Sequence, residues 1–341
     1  MNFNNTPIDW TKVHNLISSA NRIMLTTHEN PDGDGLGAES GMYYHLKEIG
    51  KDIRIVNYSP LPDDYNFLNL DSIFESYDKS IHDSWIENVD LVIIFDVGNF
   101  VRIRTIVDAI KTYNLTTLNI DHHPHPEEHP FTHNVVDLSA AATGCMVFDY
   151  LTLVSEKPIP KESYLGIYTA VMTDTGCFRY SNTNQKCHEI AIQCLEFGVE
   201  THTVYQKVYE NSTKSRMRLM GDLLSNLHYE LNGNLAWFII TQDMMINANA
   251  QKSDVDGFSD LVRSIQGVEV ALMIFESNSE NCRINFRSKG NYVVNDIAKS
   301  LGGGGHAFAA GALVSGSLDD VKKIVVNLSI ESLQNKINKA L

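Results

Sequence analysis

The stretch Arg22-Ile23-Met24-Leu25-Thr26-Thr27-His28-Glu29-Asn30-Pro31-Asp32-Gly33-Asp34 decides how the chain is read. An apolar run ends in a histidine. Two aspartates follow within one turn, among glycines at 33, 35 and 37 that permit a tight backbone path. Arg22–Thr27 predicts a buried strand and 38–49 a helix behind it. The pattern then recurs. Asp52–Asn57 predicts a second strand, Leu91–Phe95 a wholly apolar third that runs into Asp96, and 117–120 a fourth that runs into Asp121-His122-His123. Continuous apolar strands separated by helices predict an α/β domain whose parallel sheet carries helices on both faces.

Another apolar run, 168–172, leads to Asp174 within Thr173-Asp174-Thr175-Gly176. In open α/β sheets ligands gather beyond the carboxyl ends of the strands. Four segments are therefore expected to bring carboxylates and imidazoles to one edge. Taken alone, Asp32 and Asp34 also read as caps of the following helix. A carboxylate cluster with no cation suffers repulsion and desolvation, and divalent metal relieves both. A mixed Asp/His shell suits manganese, with zinc, cobalt and iron as alternatives, whereas calcium prefers oxygen alone.

With 341 residues the chain is long enough for about two domains. Hydrophobic residues at 43% and charged residues at 20% suit a soluble globular protein. The first ten residues lack the basic start and apolar core of a signal peptide, and no apolar run is long enough to span a bilayer. The five cysteines include no CxxC pair, so reduced thiols are expected, with neither a disulfide framework nor a cysteine zinc site. Together these features predict a cytoplasmic location. The net charge of −15 argues against a protein that wraps long nucleic acid. The expected division is a catalytic domain at 1–185, a helical connector at 186–230 and a smaller α/β domain with a mixed sheet at 231–341. The turn Asn232-Gly233-Asn234 is read as the entry to the last of these. Its strands are expected at 235–241, 268–276 and 283–288, and an amphipathic helix at 318–340. His125, His129 and His133 fall in a Pro-rich stretch, 124–133, that reads as a solvated loop.

A second signature is Gly302-Gly303-Gly304-Gly305-His306, followed by Ala309-Ala310-Gly311. Four glycines let backbone N–H groups approach an anion, as in phosphate-binding nests, although a hinge has the same composition. Arg287 ends a predicted strand shortly before this run and Arg263 precedes another strand. Both guanidinium groups suit bidentate phosphate contact. Arg179, just after Asp174, is a candidate clamp for transition-state charge.

H-x-x-P-D-x-D, a strand-terminal Asp, Asp121-His122-His123 and Thr173-Asp174-Thr175-Gly176 together resemble the four motifs of the DHH phosphoesterases, and GGGGH-x-x-A-A-G resembles the DHHA1 signature. The resemblance spans nearly the whole chain. It implies that His28, Asp32 and Asp96 hold one metal ion and that Asp34, Asp96, His122 and Asp174 hold a second, with Asp96 as the bridge. It also implies that Asp121 orients a histidine, that His123 faces the scissile phosphate, and that Gly302, Gly303, Gly304, Gly305, His306, Arg287 and Arg263 bind the remainder of the substrate. Ala38 and Cys145 depart from the family pattern, which commonly has Ser and Glu there. The two-domain length is most similar to the family's bifunctional oligoribonucleases and pAp phosphatases. The implied activity is manganese-dependent hydrolysis of short RNA or of the 3′-phosphate of pAp. Open alternatives are a cyclic di-AMP or pApA phosphodiesterase, a RecJ-like DNA exonuclease and a catalytically dead nucleotide sensor. Substrate preference, cleavage polarity and a homodimeric state stay open. No membrane partner is expected.

Overall fold

The computed structural model describes residues 8–340, with the side chains of the last helix described through Gln334. It divides into two compact units, the first ending at Asn211 and the second beginning at Ser212.

The first unit holds strands β1 (Arg22–Thr27), β2 (Asp52–Asn57), β3 (Phe74–Ser76), β4 (Leu91–Phe95), β5 (Thr117–Asp121) and β6 (His133–Val136). They form one sheet in the order β3-β2-β1-β4-β5-β6, and every neighbouring pair is parallel. β4 is buried along its whole length because both faces are covered. Helices α1 (Trp10–Ser19), α2 (Gly33–Glu48), α5 (Thr143–Val154), α6 (Lys161–Asp174), α7 (Gln185–Glu196) and α8 (Thr201–Tyr209) supply one layer, and α3 (Lys79–Ile86) and α4 (Ile106–Tyr113) the other. Chain order reverses between β1 and β4, so the loops after these strands flank the switch point where such sheets bind ligands.

One expectation is corrected here and one unassigned run is placed. The helix expected at 38–49 starts at Gly33, because Asp32 Oδ1 accepts from the amides of Asp34 and Gly35 at 3.1 and 3.3 Å. That cap offsets the poor helix propensity of the glycines. The apolar run 168–172, given no element in the sequence reading, is part of α6, and Asp174 is the helix's last residue. α6 is buried on most sides, which erases the periodicity that separates helix from strand in sequence.

The second unit contains α9 (Lys214–Ser225), β7 (His228–Glu230), β8 (Leu235–Ile240), α10 (Gln242–Ala248), α11 (Phe258–Arg263), β9 (Val270–Asn278), β10 (Asn281–Ser288), α12 (Asn295–Ser300), β11 (Gly304–His306), β12 (Ala309–Ser315) and α13 (Leu318–Ala340). The stretch 186–230 is thus shared: α7 and α8 pack in the first unit, α9 and β7 in the second. The sheet order is β11-β12-β10-β9-β8-β7. It is mixed, because β8 and β9 run parallel while the other pairs are antiparallel. Asn232-Gly233-Asn234 joins β7 to β8 inside this sheet. Helices α9, α10 and α11 cover one face, α12 and α13 the other. Among the described residues no helix is long and apolar enough to cross a membrane.

Candidate metal centre

Each cluster residue is fixed by a recognisable local cause. His28 leaves the end of β1 with its side chain buried, and its Nδ1 lies 2.7 Å from Glu29 O. With Nδ1–H donating there, Nε2 is the nitrogen that faces the carboxylates, 3.3 Å from Asp96 Oδ2 and 3.7 Å from Asp32 Oδ2. His122 repeats the arrangement after β5. Its Nδ1 lies 3.2 Å from Ala140 O, and its Nε2 lies 3.5 Å from both Asp34 Oδ2 and Asp96 Oδ1 and 3.7 Å from Asp174 Oδ2.

The carboxylates are held equally firmly. Asp34, in the first turn of α2, accepts from the amides of Thr143 and Gly144 at 2.7 and 2.9 Å, so the N-terminus of α5 holds its buried carboxyl group. Asp96, directly after β4, adopts φ +60°, a conformation rare for residues other than Gly, Asn and Asp and found where function demands it. Thr143 Oγ1 donates to its Oδ1 at 3.2 Å. Asp174 is approached by Asn182 Nδ2 at 3.4 Å. Asp32 is the open member, with 59% of its side chain exposed.

The ligand atoms of His28, Asp32 and Asp96 lie within 4.8 Å of one another. So do those of Asp34, His122 and Asp174, and those of Asp96, His122 and His123. The structure thus brings the seven sequence-predicted residues His28, Asp32, Asp34, Asp96, His122, His123 and Asp174 into one cluster. Asp121 lies beneath it, fully buried, with Oδ1 2.9 Å from His123 Nδ1.

Electrostatics give the test of whether metal ions suit this donor set. Burial, then Asp96 and Asp174, drive the Asp34 carboxyl well above its ordinary range, and burial pushes Asp174 up to about 6. Burial works against a charged His28, yet hydrogen bonds to Asp32 and Asp96 raise it to about 10. His122 is likewise raised to about 9 against its burial, through Asp96 and Asp34. Hydrogen bonds to Asp121 and Asp96 raise His123 to about 11. Burial opposes ionisation of Asp96 and Asp121, but the neighbouring imidazoles prevail, leaving Asp96 well below its usual range and Asp121 at about 2. Protons drawn onto three imidazoles mark a shortage of positive charge. His122 Nε2 is also buried with no hydrogen-bond partner, aimed between three carboxylates. A buried orphan nitrogen among anionic oxygens is what a divalent cation satisfies, so the residues fit the metal group.

Other sequence-predicted residues are placed less centrally. Arg179 is exposed, and its Nε donates to Gly176 O at 2.8 Å; among the described residues it pairs with no cluster carboxylate. In the second unit Arg263 bonds Ser288 O and Asp260, and Arg287 bonds the same Asp260. Arg287 pairs with Ala309 on β12, which pairs with His306 on β11, so Arg287 and His306 sit in one row across three strands. The glycine run is not a free loop: Gly304 to His306 form the edge strand β11, and a Cβ on Gly303 would stand 2.1 Å from Gly311 O. Ala38 and Cys145, the departures from the family pattern, are buried in the core.

Sequence reasoning missed Thr143, Gly144, Arg102 and His125. Thr143-Gly144 ahead of an apolar helical run was a readable helix start. Arg102, whose backbone carbonyl accepts from the Glu29 N–H at 2.7 Å beside His28, carried no comparable signal.

Residues 22–172 match the model of the DHH family, N-terminal domain, and residues 232–332 match the DHHA1 domain. The chain is 30% identical to the bifunctional oligoribonuclease and PAP phosphatase NrnA of Thermus thermophilus, over 91% of this chain and 90% of that protein. It is 28% identical to the enzyme of that name from Bacillus subtilis, over 93% of this chain and 97% of that one. Among solved structures it is similar to an exopolyphosphatase-related protein from Bacteroides fragilis, with TM-score 0.88, 27% identity, and 96% of this chain and 95% of that one covered. The motif geometry and these matches agree: the chain belongs to the DHH family, enzymes that hydrolyse phosphate esters, and carries a DHHA1 domain.

Proposed function

We propose that the protein hydrolyses short oligoribonucleotides and the 3′-phosphate of pAp with two divalent metal ions, manganese being the best match to the donors. The observation that carries the metal reading is the orphaned Nε2 of His122, 3.5 to 3.7 Å from Asp34, Asp96 and Asp174. His28, Asp32 and Asp96 would hold one ion, and Asp34, Asp96, His122 and Asp174 the other. When bound, such ions supply an acidified water and positive charge at the phosphoryl oxygens.

The protein's own groups do the rest. Two backbone carbonyls, Glu29 O and Ala140 O, fix the tautomers of His28 and His122 so that each Nε2 faces the carboxylates. His123 is 40% exposed, and its Nδ1 is engaged by Asp121. Its Nε2 is the free nitrogen, which we assign to the leaving oxygen as hydrogen-bond or proton donor. Arg179, exposed three residues beyond Gly176, is assigned to phosphate charge. The DHHA1 domain grips the remainder of the ligand through Arg263, Arg287, Gly302, Gly303, Gly304, Gly305 and His306, and that remote binding orients the scissile bond.

The substrate choice is supported by the names of the relatives and by the acidic net charge of −15. Parallel manganese-dependent assays on pAp, pApA, cyclic di-AMP, a pentamer RNA and a long single strand test it. Highest efficiency is expected on pAp and the pentamer. Preference for cyclic di-AMP or for long DNA would replace this reading with the corresponding alternative.

A further inference from the structure

His125 lies in the expected loop, whose neighbouring residues are exposed, but its side chain turns inward. Only 6% of its side chain is exposed, and its Nε2 lies 2.7 Å from Asp121 Oδ2. The other carboxylate oxygen, Oδ1, meets His123 Nδ1 at 2.9 Å and accepts from the His122 amide at 2.8 Å. On the far side of the ring, Asn134 Nδ2 lies 3.3 Å from His125 Nδ1. Asn119 Nδ2 donates to Asn134 Oδ1 at 2.9 Å, across a register pair of β5 and β6. This network assigns the tautomer. The Asp121 carboxylate only accepts, so at 2.7 Å Nε2 carries the hydrogen that Asp121 receives; Asn119 Nδ2, 3.5 Å from the same nitrogen, is its more distant neighbour, and Nδ1 is left facing the Asn134 amide. A hydrogen-bonded line thus runs Asn119, Asn134, His125, Asp121, His123, from the β5–β6 edge of the sheet to the cluster.

We propose that His125 is a positioning residue for phosphoester hydrolysis, acting through Asp121 on His123. A buried carboxylate with one oxygen unmatched rotates or admits water, because an unsatisfied charged acceptor is costly. By occupying Oδ2, His125 fixes the carboxylate plane, and Oδ1 then holds the His123 ring with Nε2 outward. The space is tight enough for this to matter: a Cβ on Gly98 would lie 3.1 Å from His123 Cβ and 3.7 Å from Asp121 Oδ2. The inference rests on the phosphoester chemistry proposed for this site and on the role given to His123, not on which nucleotide is cleaved.

The bland alternative is that His125 only fills space beside Phe131, whose ring centroid is 5.7 Å away. The test compares His125→Leu with His125→Gln, whose amide can still donate to Asp121, each in wild-type and His123→Ala backgrounds. Substrates are pAp and a pair of simple phosphodiesters with alkyl and p-nitrophenyl leaving groups. His125→Leu is expected to lower kcat on pAp and the alkyl ester by about 10- to 100-fold, the usual range for such outer-shell partners, with KM little changed. The p-nitrophenyl ester, whose phenolate departs without a proton, should lose far less. His125→Gln should recover most of the rate, and in the His123→Ala background His125→Leu should cost nothing further. Equal losses on both leaving groups, or the same loss without His123, would overturn the proposal, as would a loss that follows metal content or thermal stability. If His125→Leu does not fold, His125→Gln and Asn134→Leu carry the comparison. Hydrolysis of the simple esters but not of pAp or short RNA would remove the substrate reading and still decide the role of His125 by leaving group.

Discussion

Asp96 shows how much one residue is asked to do. It is almost fully buried, strained to φ +60°, and its oxygens face His28, His122 and His123. Asp96→Ala should therefore abolish activity and impair binding of both ions, read by turnover and by metal content after dialysis; near-normal turnover with two metals bound would remove it as the bridge. A second buried acid gives a pH prediction. Glu39, on α2, accepts from Asn57 Nδ2 at 2.9 Å through one oxygen, while its other oxygen has no partner. Burial, against smaller opposing effects of Asn57 and His28, raises its pKa from 4.5 to about 8. The folded state then holds a proton that the unfolded chain has released, so this group's contribution to stability falls as pH rises from about 4.5 to about 8 and is level above that. Glu39→Gln lacks the titration. Its stability relative to wild type, measured by urea unfolding at pH 5, 7 and 9, should increase across that window, and parallel curves would show that Glu39 is ionised in the native protein.

At the scale of elements, the centre depends on how closely α2 and α6 approach. A Cβ on Gly37 would stand 2.3 Å from Gly166 O, and one on Gly166 would stand 2.6 Å from Gly37 O. Backbone meets backbone here, with Asp34 at one end of the contact and Asp174 at the end of α6. Gly37→Ala gains up to about 1 kcal/mol of helix propensity but must separate the helices, which costs about 1–3 kcal/mol, so net destabilisation with weakened metal binding is expected. The control is Gly221→Ala in α9, where nothing lies within 4 Å and a gain of about 0.4–1 kcal/mol is expected. Thermal unfolding with and without manganese checks both; a stabilised Gly37→Ala would mean that the helices do not need this contact. The second unit offers the same contrast. A side chain at Gly303 meets Gly311 O, whereas one at Gly304 meets nothing within 4 Å. Gly304→Val, like His306→Ala, should keep the fold and the metal content and weaken dinucleotide binding. Loss of metal, or unchanged affinity, would argue against a substrate role for this run.

Across the whole molecule, what the sequence made legible was whatever is local. The apolar runs of β1, β4 and β5 and the ligands behind them could be read because strand and ligand adjoin in the chain. The helical origin of Asp174 could not, since a helix buried on most sides has no polar stripe. The close approach of α2 to α6 and the network behind His125 depend on partners far away in sequence or across strands, Gly166 against Gly37 in one case and Asn134 in the other. Short edge strands such as β3, β6, β7 and β11 are too brief to show a period. Net charge is the one global property that composition fixes outright, and it supports the last prediction. At −15 the protein has no overall positive charge to reward each added phosphate with counterion release, which for single strands contributes a salt slope of about −0.7 per neutralised phosphate. The cations assigned to substrate, Arg179, Arg263 and Arg287, are few, and two of them already share Asp260. A longer strand therefore adds phosphates without adding assigned cations to neutralise them. Efficiency should peak on pAp or on oligonucleotides of about two to five residues, with only a modest fall when salt is raised. A length series of labelled RNA at fixed manganese and two ionic strengths measures this directly. Efficiency that climbs out to long single strands with a steep salt slope would mean that a basic track exists despite the overall charge, and the RecJ-like alternative would take the place of the short-substrate reading.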